Sequence, residues 1–334
     1  MTLSRRATLA MLAGSCLASP RLAVAQADRL RLVVGTQDTA LQETVNASGV
    51  LAGLPFELQW ATLPGPAAQL SGLYSKALDV GLMGDTSLII EQARARVEWT
   101  EETAPLQIVA GWRNPDPAFP PIVTAVRSSA NIATLAVLRG KRWAFNFGGY
   151  NYLQYLASRI RAGLRPEDIQ PVQLVDGNAA AAAFNSGRTD VYSGGLGPVK
   201  PGIDKGEARI LIRSDELEIP ALTVFTARGE VIRDERKAAA LADLLGRIRQ
   251  HWDWVAANQP SVEAIFREKL KQTPERAAYS APSHNSRFVA LDDALIRREQ
   301  RLAEILAESG DIPRRIDVSV EFSRRFNAVT GPTT

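Results

Sequence analysis

Three short segments carry residue types that can hold an anion without a formal cation: Thr36-Gln37, Gly84-Asp85-Thr86 and Asn146-Phe147-Gly148-Gly149-Tyr150-Asn151. Each stands where a strand-like run gives way to a helix-like one. The first N–H groups of a helix lack carbonyl partners and sit at the positive end of its dipole, so an oxyanion can be held there by backbone alone. Glycine removes the Cβ that would keep a ligand off that backbone. Thr86 and Asn151 add side-chain donors, and Tyr150 and Tyr152 add hydroxyls or an aromatic wall. Asp85 has two readings, as a helix cap or as a cleft carboxylate that pairs with a ligand amine or selects against dianions. For any one loop taken singly, plain turn glycines and helix caps are the competing reading.

A repeat brings these segments together. Ser75, Asp79, Val80 and Gly84 return 111 residues later as Ser186, Asp190, Val191 and Gly195, and the same offset carries Gly35 onto Asn146. Two copies of a strand-helix-strand-helix-strand unit are implied, and two α/β lobes of this kind face each other across a cleft suited to a small molecule. Corresponding loops then point into one cleft, and Ser193, Gly194 and Gly195 at the end of the second copy join the candidates.

The elements that position them follow from apolar runs and their boundaries. In the first copy, strands are predicted over 30–34, 56–60 and 79–83, with helices from Thr39, where Gln42 completes a capping box, and through 69–76. In the second, strands fall over 141–145, 172–175 and 190–193, with helices opened by Asn151 and Gln154 in the same capping logic and through 179–184. Strand-like 107–112 and 122–126 flank the Pro-rich 114–121, and 210–213 and 222–226 follow the second copy; these are the two expected crossings between lobes. From about Lys237 the chain reads as mainly helical, with Leu295, Leu302, Ile305 and Leu306 spaced to pack a helix on a core. Residues 28–125 with 217–330 are assigned to one lobe and 126–216 to the other.

The chain has 334 residues, 46% of them hydrophobic, enough for two compact lobes. No uncharged apolar run reaches the roughly 18 residues of a membrane span. Residues 1–27 read as an export signal: Ser4-Arg5-Arg6, an apolar 7–17, then Ala23-Val24-Ala25 or Ala25-Gln26-Ala27 for cleavage. Arg5-Arg6 leaves the twin-arginine and general routes both open, and Ala13-Gly14-Ser15-Cys16 is an imperfect lipoprotein alternative. The segment holds Arg5, Arg6 and Arg21 and no acid, so its removal takes the formal charge from +3 to zero and leaves no electrostatic case for nucleic acid. It also holds the single cysteine, Cys16. The two histidines, His251 and His284, lie at no metal-ligand spacing, and neither a Gly-x-Ser-x-Gly elbow nor a P-loop occurs. No enzyme activity, metal or cofactor is expected.

With these residues in view, the chain resembles the periplasmic substrate-binding proteins of ATP-binding-cassette importers for aliphatic sulfonates, nitrate and taurine. The resemblance runs from Leu30 to about Asn327. It rests on Leu32-Val-Val-Gly-Thr-Gln37, Asp79-Val-Gly-Leu-Met-Gly-Asp-Thr86 and Leu138-Arg-Gly-Lys-Arg-Trp-Ala-Phe-Asn146 with Gly149 and Tyr152-Leu153. Ala182-Ala183-Phe184 leading to Asp190-Val191, and Ser309-Gly-Asp-Ile-Pro-Arg-Arg-Ile-Asp-Val318, add to it. It implies a type II periplasmic-binding fold that closes on a small organic anion by hinge motion, a monomer that docks on a membrane permease, and a periplasmic location. It places Thr36, Gln37, Asp85, Thr86, Gly149, Asn151 and Tyr152 in the ligand cleft. One departure stands out: the family carries a tryptophan and an Asp-Pro pair where this chain has Tyr192-Ser-Gly-Gly-Leu-Gly-Pro198. A larger pocket is the expectation there. Two other readings keep the fold: a sensor that presents its closed form to a membrane receptor, and a desulfinase or thiamine-pyrimidine synthase, which resemble this family but depend on cysteine.

Overall fold

The computed structural model describes residues 29–331. The export-signal reading, with Arg5-Arg6 and Cys16, lies outside the described residues. The first copy of the repeat is β1 (Arg31–Thr36), α1 (Ala40–Ser48), β2 (Glu57–Thr62), α2 (Pro66–Tyr74) and β3 (Val80–Gly84). After α3 (Thr86–Arg94), β4 (Leu106–Arg113) and β5 (Val123–Arg127) comes the second: β6 (Arg142–Asn146), α4 (Tyr150–Arg161), β7 (Gln170–Leu174), α5 (Gly177–Asn185) and β8 (Val191–Gly194). The chain continues through α6 (Lys200–Asp204), β9 (Ala208–Arg213), β10 (Thr223–Arg228), α7 (Gly229–Arg233), α8 (Glu235–Ala257), α9 (Gln259–Glu268), α10 (Pro274–Ser283), β11 (Arg287–Val289), α11 (Asp293–Glu308) and α12 (Asn327–Thr330).

Two mixed sheets result, each the floor of a lobe, in the orders β11-β4-β10-β3-β1-β2 and β7-β6-β8-β5-β9. Within each, the repeated strands pair in parallel, β1 with β2 and β3, β6 with β7 and β8. The repeated aspartates explain their own recurrence. Asp79 accepts a hydrogen bond from the Val33 N–H at 3.0 Å and Asp190 one from the Arg142 N–H at 3.1 Å, so each ties the start of its third strand to the first. Each carboxylate is paired in turn, Asp79 with Arg228 and Lys237, and Asp190 with Arg142.

The chain changes lobe twice. After β4 it passes through 114–122 into β5, antiparallel to β8, and after β9 it returns through 214–222 into β10, which inserts between β3 and β4. The Ser214 N–H donates to the Ile122 carbonyl at 3.3 Å, so the two crossings run side by side. Both predicted crossings are found.

The predicted capping boxes are not. No side chain of Thr39 caps α1; Asp38 accepts from the Ala40 N–H at 2.9 Å instead. At α4 the cap is Gly149, without a side-chain bond, because Asn151 turns to donate to Asn146 Oδ1 at 2.7 Å and Gln154 is buried against Thr124 and the Ile212 carbonyl. In a helix whose start faces packed protein, these amides find stronger partners inside than at the cap. On the far side, α8 lays Leu241, Leu244, Leu245, Ile248 and Trp252 on the first sheet, each side chain worth about 1.5–3 kcal/mol when fully buried.

Candidate ligand cavity

A cavity of about 390 Å³ opens where the lobes meet. The end of β1 supplies Thr36, Gln37 and Asp38 to its wall, and the end of β4 with the first crossing supplies Trp112, Arg113, Asn114, Phe119, Pro120 and Pro121. The second lobe contributes Tyr150 and Gly195-Leu196-Gly197, and the C-terminal helices contribute Phe266, Tyr279, Ser280, Ser283 and His284. Of the residues singled out from sequence, Thr36, Gln37, Tyr150 and Gly195 therefore share one cavity.

Thr36 is buried, and its hydroxyl has no partner among the described residues. Gln37 donates to the Leu82 carbonyl at 3.1 Å, which leaves its side-chain oxygen free. Burial pushes the Tyr150 phenol above its ordinary value, opposed by the neighbouring Thr223 side chain, so the group stays a neutral hydroxyl. Arg113 is the one cation among the described lining residues. Its Nη1 reaches the Pro220 carbonyl at 3.4 Å, and no carboxylate among the described residues forms a salt bridge with it. Loss of water first and then the neighbouring Arg298 charge lower its pKa, while the more distant charges of Asp215 and Asp85 oppose them without a direct ion pair. His284, with Nε2 3.0 Å from Thr44 Oγ1, is held neutral by burial, its pKa lowered to about 4.

The other sequence candidates lie behind the wall. Asp85 is buried and caps α3 from the Thr86 N–H at 2.8 Å, while its second oxygen accepts from the Leu222 N–H at 2.6 Å on the returning crossing. Thr86 donates its hydroxyl back to Asp85. With Asp38 at the start of α1, two of the three helix starts read as anion sites already hold a carboxylate of their own. The third, at α4, has no acid in its first turn, but Gly148 and Gly149 back onto Pro66, and Ser87 Oγ donates to the Gly148 carbonyl at 2.6 Å. Asn146 and Asn151 bond each other, and Ser193 sits between Thr124 and the Trp143 indole. Tyr152 packs on Phe147 with ring centroids 4.7 Å apart and turns its hydroxyl toward Asp311, away from the cavity.

The expected space at Gly194 is filled. A Cβ there would lie 2.3 Å from the buried Tyr192 hydroxyl, which donates to the Gly195 carbonyl at 3.1 Å. The glycine makes room for the tyrosine rather than for a ligand, whereas Gly195 has nothing nearer than 3.9 Å and stays on the wall. Gly194→Ala is expected to lower stability by about 1–3 kcal/mol, as overpacking does; a melting temperature within a degree of wild type would contradict that packing.

Arg113, Phe119 and Tyr279 were not singled out from sequence, and His284 was weighed there only as a metal or catalytic residue. They come from the first crossing and the C-terminal helices, outside the repeat. The available signal was Arg113 ending the apolar run Ile108-Val-Ala-Gly-Trp112 at the edge of a Pro-rich loop, a place where a solvated charge is otherwise unremarked.

No family model matches the chain. It is similar to a protein of Escherichia coli (strain K12) described as a "Putative aliphatic sulfonates-binding protein", 23% identical over 274 residues and covering 78% of each chain. Among solved structures, the periplasmic aliphatic sulphonate binding protein SsuA from Escherichia coli matches with a TM-score of 0.72 and 19% identity, over 89% of this chain and 92% of that one. The alkanesulfonate-binding protein SsuA from Xanthomonas axonopodis pv. citri, solved bound to MOPS, gives 0.74 and 20%, over 89% and 98%. The desulfurization enzyme DSZB shares the fold more loosely, with a TM-score of 0.56 and 14% identity over 90% of this chain and 99% of that one. The two-sheet architecture is thus the type II periplasmic-binding fold, and the resemblance read from the sequence holds as distant homology over most of the chain.

Proposed function

We propose that this chain is the periplasmic solute-binding protein of an ATP-binding-cassette importer, which captures a small organic anion, a sulfonate first, and delivers it to a membrane permease. The observation that carries this reading is Arg113: a half-buried arginine in the cavity wall that forms no salt bridge among the described residues, its field shaped by Arg298 and, in the opposite sense, by Asp215 and Asp85. An oxyanion there would satisfy planar donors that protein groups leave free. Thr36 and Tyr150 would add hydroxyl donors from opposite lobes, and Gly195 would let the ligand approach backbone. In this reading the lobes, 28–125 with 217–330 and 126–216, part and close about the paired crossings, and the anion favours the closed form because it bridges them. The sulfonate-binding relatives agree with this reading, and the location rests on them and on the export-signal reading. The reading as a catalyst of the desulfurization type has less support, because the one cysteine, Cys16, falls in the segment assigned to the export signal.

The test is calorimetric titration with alkane- and arenesulfonates, taurine, nitrate, sulfate esters and carboxylates. A sulfonate or related acid should bind, and Arg113→Ala should weaken it by roughly 10- to 100-fold, the loss of a hydrogen bond to charge. Unchanged affinity in that variant would remove Arg113 from the site, and binding of none of the anions would sink the reading.

A further inference from the structure

The apolar part of the cavity wall combines aliphatic side chains, Leu41, Leu82, Met83 and Leu196 among them, with a set of aromatic rings. Trp112, Phe119, Tyr150, Phe266 and Tyr279 all reach it. Phe119 and Tyr279 matter most, because neither belongs to the repeated units and each is fixed from outside its own segment. Their ring centroids lie 5.4 Å apart with the planes tilted by 48°. Asn114 Nδ2 bonds the Pro282 and Ser283 carbonyls at 2.8 and 3.1 Å, fastening the crossing that carries Phe119 to the end of the helix that carries Tyr279. From the second lobe, Gly197 lies against the Tyr279 ring edge, and Lys200 Nζ stands 5.7 Å from its centroid. The pair is thus a preset surface that touches both lobes.

Resting on the anion reading of Arg113, we infer that the ligand's tail is an arene: the cavity takes an aromatic sulfonate or carboxylate, with its ring against Phe119 and Tyr279. Volume points the same way. A cavity of roughly 150 Å³ holds benzene, so about 390 Å³ admits a ring, its acid group and a substituent, whereas a one- or two-carbon sulfonate would leave most of it unfilled. Offset and edge-on contacts between rings favour an arene over an alkyl chain of equal area by roughly two- to tenfold for each ring pair.

The experiment compares benzenesulfonate and naphthalene-2-sulfonate with hexanesulfonate and with the neutral methyl phenyl sulfone, by calorimetric titration of the protein. The arenesulfonates should bind about tenfold or more tightly than hexanesulfonate, and this gap should close in Tyr279→Leu and in Phe119→Leu, which keep apolar volume and remove one ring each. Since Phe119 sits half-buried in a loop, its variant tests the point even if the Tyr279 variant does not fold. Hexanesulfonate binding as well as or better than the arenes in wild type overturns the aromatic tail while leaving the anion reading standing. Methyl phenyl sulfone binding as tightly as benzenesulfonate overturns the anion at Arg113, and no binding by any of the four overturns both.

Discussion

Glu299→Gln is expected to stabilise the protein at pH 8 and to leave it nearly unchanged at pH 5. Glu299 on α11 and Glu321 are buried, neither carboxyl has a hydrogen-bond partner among the described residues, and the Asp85 charge acts on both. Burial first, then the neighbouring acids, hold both glutamates well above the ordinary 4.5. As pH rises above 4.5 the unfolded chain releases protons that the folded chain keeps, so stability falls by about 1.4 kcal/mol per pH unit for each such group until its folded pKa is reached. The histidines act in the opposite sense. Burial lowers His251 to about 3 and His284 to about 4, so below the ordinary 6.5 the unfolded chain takes up protons that the fold refuses, and stability is lost as pH falls. Between pH 4.5 and 6.5 the falling contributions of the buried carboxylates, Asp85 among them, and the rising contributions of the two histidines oppose each other, so the net decline there is shallower than above 6.5, where the histidines no longer offset the carboxylates. Glu299→Gln removes one glutamate slope. Urea unfolding of both proteins from pH 4 to 9 reads this directly: curves that stay parallel above pH 6.5 would show that Glu299 is ionised in the fold.

The same carboxylate cluster shows where sequence reading reaches its limit. Gly84-Asp85-Thr86 carries every residue type of an anion-binding helix start, and the helix does start there. What the local pattern cannot tell is whether the start faces a cleft or is closed by its own aspartate, because the deciding partner, the Leu222 N–H, arrives from the returning crossing. The repeat was legible for the converse reason. Asp79 and Asp190 act on strands of their own units, so the requirement is written locally in each copy. Thr36, Gln37, Tyr150 and Gly195 could be placed because they lie at the boundaries of repeated elements. Arg113 and the Phe119–Tyr279 pair could not, since their proximity depends on how the first crossing meets α10 through Asn114, a contact between residues more than half the chain apart. Of the two glycines from which a larger pocket was expected, Gly194 gives its space to the buried Tyr192, while Gly195 stays open on the cavity wall.

Gly84→Ala is expected to weaken anion binding by roughly 5- to 150-fold with little change in the melting temperature of the free protein. Gly84 ends β3 in the first lobe, and a Cβ placed on it would lie 2.5 Å from Tyr150 Cδ1 and 2.9 Å from the Tyr150 backbone nitrogen at the start of α4 in the second. A ring can rotate away, but a backbone nitrogen moves only with its helix. Overpacking of this kind costs about 1–3 kcal/mol, and the molecule can avoid that cost by letting the lobes part. Parting separates Tyr150 and Gly195 from Thr36 and Arg113, so the strain is charged to the closed, ligand-holding form alone. The repeat supplies the control. Gly195 occupies the equivalent position in the second copy, where a Cβ would meet nothing nearer than 3.9 Å, so Gly195→Ala should leave the lobe approach unchanged. Small-angle scattering completes the test: wild type should contract on adding a bound sulfonate, and Gly84→Ala should contract less at the same concentration. If the variant binds and contracts as wild type does, the approach of β3 to α4 does not limit closure, and the coupling between lobe contact and capture proposed for this fold is wrong.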